Sequence, residues 1–336
     1  MNKVFRFLLI FLFLSGAISN LSFGMNKAWL ENWSENNSQW RVMHLQADPF
    51  NNMGALKKLI TTVLEPMGYN ALILTVDYDL EFDSHPELSY NKLTKEQARE
   101  LTRLCRENGI RLIPLFNCVG HQSWTDNNAP LLLKYPQFDQ TPHVPLNNKG
   151  IYCREWCPMH PGVNKVVFAL IDEIIEAFDA DAIHLGMDEI FLAGYPPKDR
   201  EPWKLHTDWK PGAGGKEEPF PEGPRCKYCG DKKPDEIIAK AINDYHKHFV
   251  EEKGLEMLIW GDRLIPGEKI PYAGVTEISY TGSHKAIDKI SKDIIICDWH
   301  YSLYDSYPSF DYFQQNGFRV LASVWKNPEA TLRFMR

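Results

Sequence analysis

Seven short apolar runs recur along the chain, and the stretches between them carry helical periodicity. The runs cover 42–47, 71–76, 110–116, 182–187, 257–261, 294–297 and 319–324. They are rich in Val, Ile and Leu and nearly continuous, as strands covered by helices on both faces are. Thr94 to Gln97 reads as a capping box, and Gly109 stops the helix that buries Ala98, Leu101, Leu104 and Cys105. After Pro161, Val163, Val166, Val167, Leu170, Ile171, Ile174, Ile175 and Phe178 recur at helical spacing. Helices over 53–67, 234–252, 285–291 and 309–316 fill similar slots. Repeated β→α units in one order specify an α/β protein, a (β/α)8 TIM barrel. It reads as truncated before the eighth strand, because Arg336 falls inside the seventh helix. No GxGxxG follows the first run, which removes the simplest dinucleotide-binding reading.

Residues 1–24 read as a secretory signal peptide: Lys3 and Arg6 precede an apolar run from Phe7 to Leu14, and Ser22-Phe23-Gly24 offers a cleavage site. The expected mature unit is one catalytic barrel over 25–336, exported to the periplasm or beyond, with no stable membrane insertion after cleavage. The net charge is −7 with no block of Lys or Arg, which argues against a nucleic acid partner. Two connections are long, 117–160 after the third strand and 190–234 after the fourth. The second holds eight Pro and six Gly and cannot be regular structure. Both belong on the C-terminal face of a barrel, where active sites form.

The strongest chemical signal is Ile183-His184-Leu185-Gly186-Met187-Asp188-Glu189-Ile190. Strand alternation sends Ile183, Leu185 and Met187 toward the helices and His184, Gly186 and Asp188 toward the axis. Asp188 and Glu189 reach one pocket only if the pleat breaks at the strand end. Paired carboxylates suit glycoside cleavage, since one must hold a proton for the leaving oxygen and its charged neighbour raises its pKa.

These residues resemble the signature of glycoside hydrolase family 20, the β-N-acetylhexosaminidases. Further segments match in order: Gly109-Ile110-Arg111-Leu112-Ile113-Pro114 with Gly120-His121, then Trp260-Gly261-Asp262, then Asp298-Trp299-His300-Tyr301. The resemblance implies a retaining mechanism in which the substrate's own 2-acetamido oxygen attacks the anomeric carbon. It implies Glu189 as general acid and then base, and Asp188 as the group that orients the acetamido N–H. It implies substrate contacts from His121, His184, Trp260, Asp298, Trp299, Tyr301 and Trp325, and Asp77 in place of the Arg that usually ends the first strand. The implied partner is an N-acetylhexosamine-containing glycan, and catalysis needs no cofactor. Val119 stands where the family places Pro. Two other readings stay open. One is a non-catalytic carbohydrate-binding barrel. The other is a metal-dependent hydrolase using His121, His184, Asp188 and Glu189.

Seven cysteines form a second pattern. Cys226 and Cys229 make a C-x-x-C-G knuckle, and Cys153 and Cys157 lie in the other long connection. Four thiolates from two loops suit a tetrahedral structural zinc, export equally permits disulfides, and free thiols stay open as a third state.

Overall fold

The computed structural model describes residues 28–46, 49–124, 127–146, 153–191, 226–267, 279 and 282–335. The expected signal peptide and most of the 190–234 connection lie outside the described residues. One parallel sheet organises the chain: β1 (Val42–Leu45), β2 (Ala71–Thr75), β3 (Arg111–Cys118), β4 (Ala182–Gly186), β5 (Glu256–Trp260), β6 (Ile295–Trp299) and β7 (Arg319–Ser323). The strands pair strictly in chain order. All seven expected runs are strands, with ends shifted by a few residues at most.

Helices α1 (Met53–Leu59), α2 (Lys95–Glu107), α3 (Val163–Phe178), α4 (Pro234–Tyr245), α5 (Pro308–Gln315) and α6 (Pro328–Phe334) cover the outside. The capping box at α2 forms as expected: Thr94 accepts the Gln97 N–H at 3.2 Å, and Gln97 accepts the Thr94 N–H at 2.9 Å. α1 passes into a π-helical turn, Ile60–Leu64. The helix expected over 285–291 is instead a 3₁₀ segment, Ser283–Lys289. Its Ser283 hydroxyl donates to the Arg263 carbonyl at 2.8 Å, which ties the first turn to the segment after β5.

Alternation divides the core in two. Leu72, Leu74, Ile183, Leu185 and Ile259 face the helices in the larger apolar cluster. Ile73, Ile113, Leu115, Ala182, Leu258, Trp260, Ile295, Cys297 and Trp299 fill the sheet's concave side. The sheet therefore curls as most of a barrel. Among the described residues, β1 and β7 each pair on one side only, leaving a seam between them.

Candidate active site

The site begins with an irregularity in β3. Leu115 pairs with His184, but Cys118 pairs with Gly186, so β3 carries one extra residue against β4. Asp77, just beyond β2, holds that bulge: it accepts the Asn117 backbone N–H at 2.7 Å and the Asn117 side-chain amide at 2.9 Å. Asn117 presses on Gly186, where a Cβ would meet its Oδ1 at 2.7 Å. Gly186 answers with φ +62°, and Met187 and Glu189 follow with φ 71° and 49°. Non-glycine residues at positive φ are costly and gather where geometry is imposed. This is the expected break in the pleat, and it carries both carboxylates to the same cleft.

Three groups then meet. His121 Nε2 lies 3.1 Å from Asp188 Oδ2 and 3.5 Å from Glu189 Oε2. His121 is itself at φ 56°, and its backbone N–H donates to Cys153 Sγ at 2.7 Å. Gly120 lets this loop approach, since a Cβ there would sit 2.7 Å from the Asp188 carbonyl oxygen.

Electrostatics separate the two carboxylates. Burial pushes Glu189 up to about 7, and the charges of Asp188 and Asp262 add to that rise while His121 opposes it. Burial alone would raise Asp188 too, but the His121 charge and hydrogen bond hold it below the usual carboxylate range. Burial also works against the His121 cation, and Asp188 outweighs it, so the imidazole is held well above its ordinary value. At neutral pH the arrangement is an ionised Asp188, a cationic His121 and a Glu189 poised between acid and base.

Trp260, Trp299, Tyr301 and Trp325 line the same cleft. Trp260 and Trp299 are buried, whereas Trp325 is 62% exposed. The Tyr301 ring sits 5.0 Å from that of Trp299 and 5.3 Å from that of Trp325, forming an aromatic wall at the mouth.

Three expected contacts lie elsewhere. Asp298 points outward between β6 and α5, where Ser309 donates to it at 2.6 Å and His300 Nε2 lies 3.0 Å away. Its strand neighbours Cys297 and Trp299 face inward, so alternation forbids Asp298 the same face. Asp77 clamps the β3 bulge and is not in the cleft wall. His184 does face the axis but is fully buried beside the Trp260 ring, 4.5 Å away, and its burial pushes its pKa down to about 3. It supports the cleft floor from below.

The structure adds residues the motifs did not single out. His44 of β1 lines the cleft, bonded to Thr75 at 3.0 Å, with burial lowering its pKa to about 4. Val42 already packs on the inner cluster, so alternation along β1 points His44 inward as well. Asp262 accepts the Glu189 backbone N–H at 2.9 Å and pairs with Arg263 Nε at 2.6 Å. It was visible only as the third residue of Trp260-Gly261-Asp262.

The cysteines divide differently from expectation. Cys157, Cys226 and Cys229 come together, their sulfur atoms all within 4.8 Å of one another. Cys153 does not join them, because its Sγ is engaged by His121. None of the seven is in a disulfide. Cys226 is held low by hydrogen bonds from Cys157 and Cys229.

A curled parallel sheet with adjacent carboxylates at the C-terminal end of its fourth strand places a paired-carboxylate site on the face where barrel active sites form. Comparison with known proteins narrows the class. The model of glycosyl hydrolase family 20, catalytic domain, matches residues 37–323, and the chain belongs to that family. A beta-hexosaminidase of Akkermansia muciniphila is 31% identical over 99 residues, 29% of this chain and 19% of that protein. The Flavobacterium johnsoniae chitobiase superposes with TM-score 0.55 at 18% identity, over 84% of this chain and 37% of that one. The beta-N-acetylhexosaminidase of Bacteroides fragilis superposes with TM-score 0.51 at 14% identity, over 86% and 50%. The chain thus spans half or less of the length of each of these relatives.

Proposed function

We propose that this protein is an exported, retaining β-N-acetylhexosaminidase that uses the substrate's 2-acetamido group as nucleophile. The observation that carries the reading is the split between two adjacent carboxylates in one cleft, Glu189 near 7 and Asp188 held low by His121. Glu189 protonates the leaving oxygen as the glycosidic bond breaks, then takes a proton from the water that opens the cyclic intermediate. Asp188 accepts the acetamido N–H and balances the positive charge that develops on the ring formed by the acetamido oxygen. Tyr301 at the mouth donates to the acetamido oxygen. Trp260 and Trp299 offer flat apolar faces to the sugar and its N-acetyl methyl. No step calls for a cofactor. The segment 1–24 supports delivery to the periplasm or outside the cell.

The test is hydrolysis of 4-nitrophenyl N-acetyl-β-glucosaminide beside the plain β-glucoside, with Glu189→Gln as control. The expected outcome is turnover of the acetamido sugar only, reduced about 10²–10⁴-fold in the variant. Equal turnover of both sugars overturns acetamido participation. Binding of N-acetylglucosamine by folded protein without turnover overturns the enzymatic reading and leaves a carbohydrate-binding barrel.

A further inference from the structure

Two turns face each other away from the carboxylates. One is Cys157-Pro158-Met159-His160, in the connection after β3. The other is Cys226-Lys227-Tyr228-Cys229, just before α4. Each is closed by a backbone hydrogen bond, over three residues at Cys157 and over four at Cys226. The His160 N–H donates to the Cys157 carbonyl at 3.0 Å, and the Gly230 N–H donates to the Cys226 carbonyl at 2.8 Å.

The three sulfurs form a triangle with every edge within 4.8 Å, and all three residues are buried. Sulfur ligands about 2.3 Å from a tetrahedral ion stand about 3.8 Å apart, which this triangle accommodates. A disulfide would pair only two of them and strand the third thiol in the interior. The geometry points to a structural zinc site whose ligands are Cys157, Cys226 and Cys229, joining the two long connections of the barrel. Binding exchanges the remaining thiol protons for the cation, each S–H proton leaving as its metal–sulfur bond forms. His160 packs edge-on to Tyr228 at 4.6 Å, and its Nδ1 accepts the Gly162 N–H at 3.0 Å. That bond engages only one ring nitrogen, and His160 lies outside the 4.8 Å group of the three sulfurs. The site is independent of the glycosidase reading, since it shares no residue with Asp188, Glu189 or His121.

The purified protein is equilibrated with Zn²⁺, dialysed against metal-free buffer and assayed by elemental analysis. About one zinc per chain is expected, with the three cysteines resistant to alkylation until a strong chelator is added. Replacement by Co²⁺ is expected to give a sulfur-to-cobalt charge-transfer band, which loses about a third of its intensity for each ligand removed in Cys157→Ser or Cys229→Ser. Less than about 0.1 zinc per chain after dialysis overturns the site. So does a mass spectrum placing a disulfide within the trio, or zinc retention unchanged in the Cys157→Ser, Cys229→Ser double variant. The alkylation and mass readings use the unaltered chain, so a variant that misfolds does not rescue the inference.

Discussion

At the scale of single residues, the site is a set of charges whose values depend on one another. Glu189 carries its proton up to about 7, so kcat/KM is expected to fall about tenfold per pH unit above that point. His121 lowers Glu189, and Asp262 raises it. His121→Asn is therefore expected to move the alkaline limb of the pH–rate profile to higher pH, and Asp262→Asn to lower pH. Limbs that stay in place in both variants would contradict the assignment. Stability moves in the same direction. A folded pKa raised from 4.5 to about 7 contributes stability that is complete below 4.5 and lost as pH rises through 7. At about 1.4 kcal/mol per pH unit, the loss is on the order of 3 kcal/mol. Glu189→Gln removes it, so the variant should gain on the parent in denaturant midpoint between pH 5 and pH 8. The carboxylates were legible in the sequence because they are consecutive and end an apolar run. Asp298 was misread because a motif written as a string does not say which face each residue takes. Alternation, applied strictly from Cys297 and Trp299, would have turned it outward.

At the scale of elements, the decisive feature is the crowded meeting of β3 and β4. The bulge at Asn117, its clamp by Asp77 and the positive φ of Gly186 act as one device. Gly186→Ala faces both a left-handed backbone and a Cβ 2.7 Å from Asn117 Oδ1, so a cost of about 2 kcal/mol or more is expected in chemical denaturation. Asp77→Ala should lower kcat while leaving sugar affinity by calorimetry nearly unchanged, because it frees the bulge without touching the cleft wall. A matching loss of affinity would return Asp77 to the substrate. The strands were legible because their apolar runs are nearly continuous and bounded by turns. The bulge was not, since an extra residue in a buried strand changes the pairing and leaves the composition untouched. The same limit applied to the cysteines. Spacing placed four of them on two loops, and only packing showed that Cys153 turns toward His121 while the other three converge.

At the scale of the molecule, the sheet has a firm centre and two lighter margins. β3 and β4 are paired on both sides and sealed by α2 and α3, while β1 and β7 are partly exposed along their lengths. Amide hydrogen exchange should be slowest in β3 and β4 and faster in β1 and β7, reflecting openings that break fewer buried contacts. Uniform protection across all seven strands would contradict this. The strict order of the strands also bears on how the protein is made. Each strand finds its earlier partner in the strand that precedes it, so the sheet can grow from its amino end as the chain leaves the ribosome. Loop closure costs only about 0.6 kcal/mol per doubling of length, so even the two long connections delay this growth without redirecting it.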